Sequence, residues 1–191
     1  MGSEASEGTL NPPDRPEDAE EALWVRPMTL EEAPLRIDYF LGASDDYLQL
    51  LGVDRAKLPT REAWLARYED DLAKAPQERD TYSIVWLLGE RIVGFSTADR
   101  IQPGQQAFLH LHVLDPGRRR QGLGSRFVRL SAEHYHEVLG VPRLYSQPKA
   151  FNVAPNRALQ RAGFRYLWTK EFVPGPINFH QAVTRWVWEA R

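Results

Sequence analysis

The spacing of apolar and polar positions divides the chain into strand-like and helix-like segments. Apolar runs and two-residue alternation predict up to seven strands, at 24–25, 81–88, 91–100, 107–114, 143–148, 164–173 and 182–189. Helical spacing and capping residues predict helices at 29–42, within 44–59, and at 59–76, 122–139 and 154–162. The order predicts one α/β domain, with a mostly antiparallel first half followed by a strand-helix-strand crossover.

Composition separates a tail from this domain. Residues 1–22 hold seven acidic side chains and one basic side chain with little apolar surface, so we expect a disordered acidic tail. Residues 23–191 are of a suitable length for one domain. The net charge of −2 leaves this domain only mildly basic, and no basic residues interleave with aromatic ones, so nucleic acid is not an expected partner.

Two absences narrow the class of protein further. No apolar run reaches the length of about 18 residues that a membrane span needs, so we expect no membrane partner. The chain has no cysteine, which excludes a disulfide framework, a thiolate metal site and a cysteine nucleophile. This composition agrees with a cytoplasmic protein.

The stretch LHLHVLDPGRRRQGLGSRF, residues 109–127, carries the clearest chemistry. A strand runs into a loop with three arginines and then into a helix whose first backbone N–H groups point at one spot, an arrangement that suits a phosphate. Gly122 and Gly124 remove β-carbons from this spot. A nucleoside-triphosphate loop would need Lys after its last glycine, and a dinucleotide loop would need glycine where Phe127 stands. An ordinary basic turn is the alternative.

Two histidines stand in the strand that precedes this loop. Alternation along a strand places Phe108, His110, His112 and Leu114 on one face and the intervening residues on the other. Imidazoles in an apolar strand are costly unless they are hydrogen-bonded or face a cavity. They are therefore either satisfied core residues or functional groups, and the residues alone leave both interpretations open.

The loop resembles the Arg/Gln-x-x-Gly-x-Gly/Ala motif of the GNAT superfamily of N-acetyltransferases, and the segment 152–164, NVAPNRALQRAGF, resembles a later segment of that family. The resemblance covers about residues 23–188 and implies a mixed, twisted sheet flanked by helices. It also implies acetyl-CoA as co-substrate, with no metal. The cofactor-binding positions that it indicates are Val113, Leu114, Arg119, Arg120, Gln121, Gly122, Leu123, Gly124, Ser125, Asn152, Asn156 and Arg157. Both asparagines could instead cap a helix, and Arg157 could be solvated.

The same resemblance implies catalytic roles. Some arylalkylamine acetyltransferases of the family carry a His-x-His pair in this strand, two residues further from the loop than here. His110 is accordingly the predicted base, directly or through a water, with His112 second. A backbone N–H at Val113 or Leu114 is expected to polarise the acetyl carbonyl. Many relatives place a tyrosine acid where this chain has Leu159, so the thiolate leaves unaided or takes a proton from Tyr145, Tyr166 or water.

We therefore expect an N-acetyltransferase that acts by direct attack of a primary amine, of a small molecule or a peptide, in a ternary complex. The acceptor pocket is predicted from the early helices, the loop 174–181 and aromatic residues, which are Tyr39, Phe40, Tyr47, Trp64, Phe172 and Phe179, with His180 nearby. A non-catalytic acyl-CoA-binding module and an anion-binding domain unrelated to CoA are the alternatives. A homodimer is an open alternative to a monomer.

Overall fold

The protein is described here by a computed structural model that covers residues 22–114 and 123–190. The predicted acidic tail, apart from Ala22, lies outside the described residues. So do residues 115–122, which include most of the predicted phosphate loop.

A seven-stranded mixed sheet forms the centre of the domain, in the order β1-β2-β3-β4-β5-β7-β6. Its strands are β1 Leu23–Pro27, β2 Thr81–Leu88, β3 Arg91–Gln102, β4 Gln106–Val113, β5 Arg143–Ser146, β6 Arg165–Phe172 and β7 Gln181–Glu189. Neighbouring strands are antiparallel except for β4 and β5, which are parallel. The predicted single α/β domain with a mixed sheet is thus confirmed, including the antiparallel first half.

Helices cover both faces of this sheet. They are α1 Ala33–Leu41, α2 Asp45–Leu51, α3 Arg61–Leu72, α4 Leu123–Leu139 and α5 Val153–Arg161, with short 3₁₀ turns at Leu30–Glu32, Arg55–Lys57 and Pro76–Glu78. The first turn of the predicted 29–42 helix is the 3₁₀ turn, and Pro34 stands in the first turn of α1, where its missing N–H costs nothing. Among the described residues, no helix is long and apolar enough to cross a membrane.

The two faces bury separate cores because side chains alternate along each strand. Leu109 packs with Trp86, Phe127 and Leu144 beneath α4 and α5. On the opposite face, Val85 and Phe95 pack with the apolar side chains of α1 to α3. The sheet therefore has one helical layer, formed by α4 and α5, on one side and a second layer, built from α1 to α3, on the other.

The sheet opens where β4 and β5 part. These strands pair only at Ala107 with Leu144 and at Phe108 with Tyr145, after which β4 continues to Val113 while β5 ends at Ser146. Ser146 Oγ donates to the Leu109 carbonyl at 2.8 Å and closes the paired part. Beyond that bond no strand of the described residues lies on the β5 side of β4, and this edge opens toward a cavity.

Candidate active site

Two cavities meet at this opening. The larger has a volume of about 420 Å³ and lies on the side of α1 and α3, and the smaller, of about 180 Å³, lies beside the start of α4 and α5. The residues that line both are Leu51, Leu111, His112, Asn152 and Pro155. The arrangement can hold two molecules whose reacting ends meet beside the last residues of β4.

The pairing of β2, β3 and β4 places the two histidines in different surroundings. Cross-strand partners share a face of the sheet, and His110 lies opposite Thr97, which lies opposite Ser83. His112 lies opposite Phe95 in the next row of the same face. His110 therefore continues a polar row, and His112 continues an apolar row. Both histidines lie on the same face of β4, as predicted.

His110 faces the larger cavity and interacts with a carboxylate. Its Nε2 is buried without a well-aligned hydrogen bond and lies 3.1 Å from Asp99 Oδ1, while 40% of the side chain is exposed. Burial alone would raise the pKa of Asp99, but the neighbouring His110 and Arg100 outweigh it and lower that pKa to about 2. Asp99 is therefore ionised at neutral pH and can stabilise a protonated His110.

Regular pairing of β3 with β4 brings Asp99 to this position, because Asp99 lies opposite Phe108 on the face that His110 shares, and a bulge follows directly after it. The register with β4 shifts between Asp99 and Gln102, and Arg100 has a φ of 49°. Left-handed backbone is strained for a residue with a β-carbon, and bulges of this kind redirect side chains near functional sites. Arg100 packs over the Phe108 ring, 3.5 Å from its centroid, and its Nε lies 3.2 Å from Asp99 Oδ1.

His112 is enclosed by aromatic rings instead. The ring centroids of Phe95, Tyr39 and Phe40 lie 4.8, 4.9 and 5.1 Å from that of His112. Its Nδ1 is buried with no hydrogen-bond partner among the described residues. Burial, followed by the positive charges of His110 and Arg36, holds the pKa of His112 well below its ordinary 6.5. His112 is thus a neutral imidazole where the two cavities meet.

We expect this burial to make the fold sensitive to acid. In the unfolded chain His112 would take up a proton near pH 6.5, whereas in the folded chain it does so only at lower pH. The unfolded state then binds more protons, and the free energy of unfolding falls as pH drops below that value, by up to about 1.4 kcal/mol per pH unit. Urea unfolding of the wild type and His112→Phe between pH 7 and pH 5 measures this. An identical pH slope in both proteins would contradict the expectation.

Only one of the two predicted backbone donors at the end of β4 is available. The N–H of Leu114 donates to the Val93 carbonyl at 3.0 Å, which leaves Val113 of the two predicted alternatives. Because N–H groups alternate between the two edges of a strand, that of Val113 points to the opposite edge, where β5 has ended. Gly94 lies opposite Val113, and a β-carbon there would lie 2.7 Å from the His112 carbonyl oxygen, so glycine keeps β4 against β3.

The predicted phosphate loop is only partly described. Arg119, Arg120, Gln121 and Gly122 lie outside the described residues. Leu123 and Gly124 begin α4 and line the smaller cavity, with Ser125 next to them in the first turn. The first turn of a 17-residue helix therefore opens on this cavity with its backbone N–H groups.

The predicted residues of α5 separate into different roles. Asn152 lines both cavities, and its side chain makes no capping hydrogen bond to the described residues of α5. The Asn156 amide instead donates to the carbonyls of Lys149 and Asn152, and its Oδ1 accepts from Trp186 Nε1 at 2.8 Å. Asn156 thus joins α5 to β7 inside the fold and is neither a cap nor a cavity residue. Arg157 is exposed.

A core residue stands where many GNAT relatives carry a tyrosine as general acid. Leu159 is fully buried beneath the sheet and lines neither cavity, and Tyr145 and Tyr166 line neither cavity either. Tyr39 and Tyr47 do line the smaller cavity, with their hydroxyl oxygens 2.7 Å apart. These two tyrosines were predicted to lie in the acceptor pocket, but the structure places them in the lining of the smaller cavity and not of the larger one.

The acceptor side contains the predicted loop and two of the predicted aromatic residues. Phe40 and Trp64 line the larger cavity, as do residues 174–178 and Gln181. Phe172, Phe179 and His180 line neither cavity. The loop is fixed to α2 by Asn178 and Gln181, whose side-chain amides both donate to the Gly52 carbonyl at 2.9 Å.

The sequence did not indicate which charged residues line the larger cavity. Asp70, Asp71, Asp80 and Asp99 line it together with Arg36, Arg67, Arg100 and Lys149. These residues come from four separate parts of the chain, so no motif or spacing indicates that they share a cavity. The sequence contained one indirect sign that Asp99 lies near the histidines. Asp99 lies shortly before the hairpin turn that leads into β4, the strand that carries His110 and His112.

Comparisons with known proteins agree with this geometry. The sequence model of the acetyltransferase (GNAT) family matches residues 48–164. No curated protein sequence gives a significant match. Among solved structures, aminoglycoside acetyltransferase AAC(6')-Ib with coenzyme A has a TM-score of 0.65 at 16% identity, covering 88% of this chain and 95% of that one. The ribosomal L7/L12 alpha-N-protein acetyltransferase RimL has a TM-score of 0.69 at 14% identity, with coverages of 87% and 93%. A spermidine N-acetyltransferase from Vibrio cholerae has a TM-score of 0.67 at 10% identity, covering 87% of this chain and 93% of that one.

Proposed function

This chain belongs to the acetyltransferase (GNAT) family, and from that premise we propose that it transfers an acetyl group from acetyl-CoA to a primary amine. The amine attacks directly in a ternary complex, since the chain has no cysteine to carry an acyl group. The observation that carries this proposal is the position of His110, which faces the larger cavity beside Asp99, while the smaller cavity begins at His112 and extends to the start of α4.

The smaller cavity has the features that a bound acyl-CoA needs. Backbone N–H groups of the first turn of α4 stand at one end, Val113 at the other, and apolar side chains of α5 lie between them. Gly124 adds no side chain there, and among the described residues a β-carbon at this position would meet only Ala158 at 3.9 Å, so the cavity is open beside it. Acetyl-CoA supplies the activated thioester, and Asn152 is placed to contact its arm.

His110 is the proposed base. An alkyl amine has a pKa near 10 and must lose a proton before it attacks, and a neutral imidazole can accept that proton. With Nε2 held beside the Asp99 carboxylate, Nδ1 is the nitrogen left to accept it. Asp99 then stabilises the charged imidazolium. The Val113 N–H is the proposed donor to the acetyl oxygen, where negative charge develops.

We propose Tyr47, supported by Tyr39, as the proton donor to the departing thiolate in place of the family's tyrosine. Tyr47→Phe removes one hydroxyl of the pair with little change in packing. We expect kcat to fall about tenfold with the KM for acetyl-CoA nearly unchanged, since such a donor acts in the transition state. Steady-state thiol release measures both constants. A Tyr47→Phe enzyme with full kcat would remove this tyrosine from the mechanism.

The proposed function is tested by thiol release from acetyl-CoA over a panel of primary amines, with mass spectrometry of the products. Amine-dependent release with an acetylated amine as product is the expected result. Saturable binding of acetyl-CoA with no turnover on any amine would instead support a non-catalytic acyl-CoA-binding module. If acetyl-CoA at millimolar concentration fails to raise the melting temperature, the smaller cavity does not bind it.

A further inference from the structure

Arg36 of α1 brings a positive charge into the larger cavity. Its guanidinium carbon lies 5.5 Å from the ring centroid of Trp64 and 5.7 Å from that of Tyr68. Nη1 donates to Tyr68 Oη at 3.0 Å, while Nε is buried with no hydrogen-bond partner among the described residues. The two aromatic rings hold the guanidinium in place without neutralising it.

No carboxylate of the described residues lies within 4.0 Å of Arg36. Withdrawing a guanidinium from water without a counter-ion is costly, so such a group is retained where it gains a partner of its own. Arg36 is half-buried and lines the cavity in which the acceptor is expected. The missing partner is therefore expected on the ligand.

Most of the acidic residues of the same cavity have partners. Asp71 accepts from the backbone N–H groups of Asp80 and Thr81 and from Thr81 Oγ1. Asp99 is engaged by His110 and Arg100. Asp70 pairs with Lys74 at 2.5 Å, and the exposed Asp80 clusters with Asp70 and Asp71, with carboxylate oxygens within 4.8 Å of one another. The half-buried guanidinium of Arg36, in contrast, has no counter-ion among the described residues.

A chain of hydroxyl groups links Arg36 to the row that contains the proposed base. Tyr68 Oη lies 3.3 Å from Ser83 Oγ, which lies 3.0 Å from Thr97 Oγ1, and Thr97 is the cross-strand partner of His110. Arg36 and His110 therefore stand at two ends of one polar row, of which Tyr68 and Thr97 line the cavity and Ser83 lies beneath it. An acceptor lying along this row can reach Arg36 with one end and His110 with the other.

We propose that the larger cavity recognises an amine that also carries a carboxylate, with Arg36 binding the carboxylate. This inference rests on the proposed function for its assignment of the amine end to His110. Guanidinium and carboxylate match in shape as well as charge, because the planar fork of N–H donors faces two acceptor oxygens. The acceptor class is thus an amino acid or a related amino carboxylate.

The carboxylate site is tested first by binding, without turnover. Sodium benzoate is titrated into the full-length protein and followed by tryptophan fluorescence, with benzamide as the neutral probe of the same shape. We expect the wild type to bind benzoate at least about tenfold more tightly than benzamide, and Arg36→Gln to lose that preference. Arg36→Lys should retain part of it, because it retains the charge. Melting curves verify that the variants fold.

The matched control is Arg61→Gln, which removes an exposed arginine that pairs with Asp38 and lines neither cavity. This variant should bind benzoate as the wild type does. A wild type with no preference for benzoate, or an Arg36→Gln protein that keeps the preference, overturns the carboxylate site.

Turnover then distinguishes the two proposals. A length series of ω-amino acids is compared with the matched n-alkylamines, in the wild type and in Arg36→Gln. We expect the amino acids to have the higher kcat/KM, and Arg36→Gln to raise their KM at least about tenfold more than it raises that of the alkylamines. Equal use of both series by the wild type overturns the carboxylate preference and leaves acetyl transfer standing. Benzoate binding that depends on Arg36 without turnover of any amine supports the anion site and counts against the proposed function.

Discussion

His110→Gln is expected to lower kcat for amine acetylation by about 10²- to 10⁴-fold, the contribution typical of a positioned general base. Glutamine keeps a polar side chain of similar reach in the cavity but cannot accept a proton at neutral pH. The loss should appear in kcat more than in the KM for acetyl-CoA, because His110 lines the larger cavity and not the smaller one. Steady-state thiol release over a range of acetyl-CoA concentrations measures it.

His134→Gln is the control for this variant. His134 lies on α4, 3.2 Å from Tyr82 Oη, and lines neither cavity, so its replacement should leave kcat close to that of the wild type. Both variants should retain the wild-type circular dichroism spectrum. A His110→Gln enzyme that retains kcat within about threefold would exclude His110 as the base, because proton transfer should supply more than that. His112, where the two cavities meet, would then be the next candidate.

Phe127→Ala is expected to reduce the free energy of unfolding by about 3–5 kcal/mol, the usual cost of removing a buried phenyl ring. The Phe127 side chain is 1% exposed and stacks on Trp86, with ring centroids 5.1 Å apart and planes within 2°. Nothing nearby can fill the space, because Trp86 is itself fixed by a hydrogen bond of 2.8 Å from its Nε1 to Ser131 Oγ. Urea unfolding at neutral pH measures the loss.

Phe151→Ala provides the matched comparison. This phenylalanine is 78% exposed, so its replacement should change the free energy of unfolding by no more than about 0.5 kcal/mol. Phe127 also lines the smaller cavity, and its loss should weaken acetyl-CoA binding in addition to the fold. Equal effects of the two substitutions on stability would mean that the stacked pair does not anchor α4 to the sheet.

The surroundings of the two histidines explain why one is proposed as the base and the other is not. His110 has the Asp99 carboxylate next to it and stands in a polar row with Thr97 and Ser83. His112 is packed among aromatic rings that disfavour its protonated form. A neutral imidazole there can pack against a thioester and shield it from water.

The periodicity of the sequence predicted most of the fold correctly. Each predicted strand and helix has a counterpart in the structure, and element ends differ by a few residues, as where the predicted 143–148 strand ends at Ser146. Local signals sufficed for these elements. Thr60 caps α3, as its Oγ1 accepts from the Ala63 N–H at 3.2 Å, and Gly140 ends α4 with a φ of 64°.

The sequence also indicated the family through the loop and the 152–164 segment. Each of these motifs consists of residues that are close together in the chain, so it can be identified from the sequence alone. The same reasoning failed where a role depends on distant partners. Asn156 was predicted as a cap or a cofactor contact, but Trp186, thirty residues later, occupies its side chain. For Leu114 the backbone N–H is occupied by Val93, across the sheet.

By itself, the sequence determined the elements, their order, the GNAT loop and the face of β4 on which both histidines lie, because each of these follows from spacing along the chain. Only the tertiary structure decided which charges meet. Asp99 reaches His110 because the β3 to β4 register brings them together, and Arg36 enters the same cavity because α1 packs over that face of the sheet. Such contacts depend on packing between segments that are far apart in the chain, so the spacing of residues in the sequence does not indicate them.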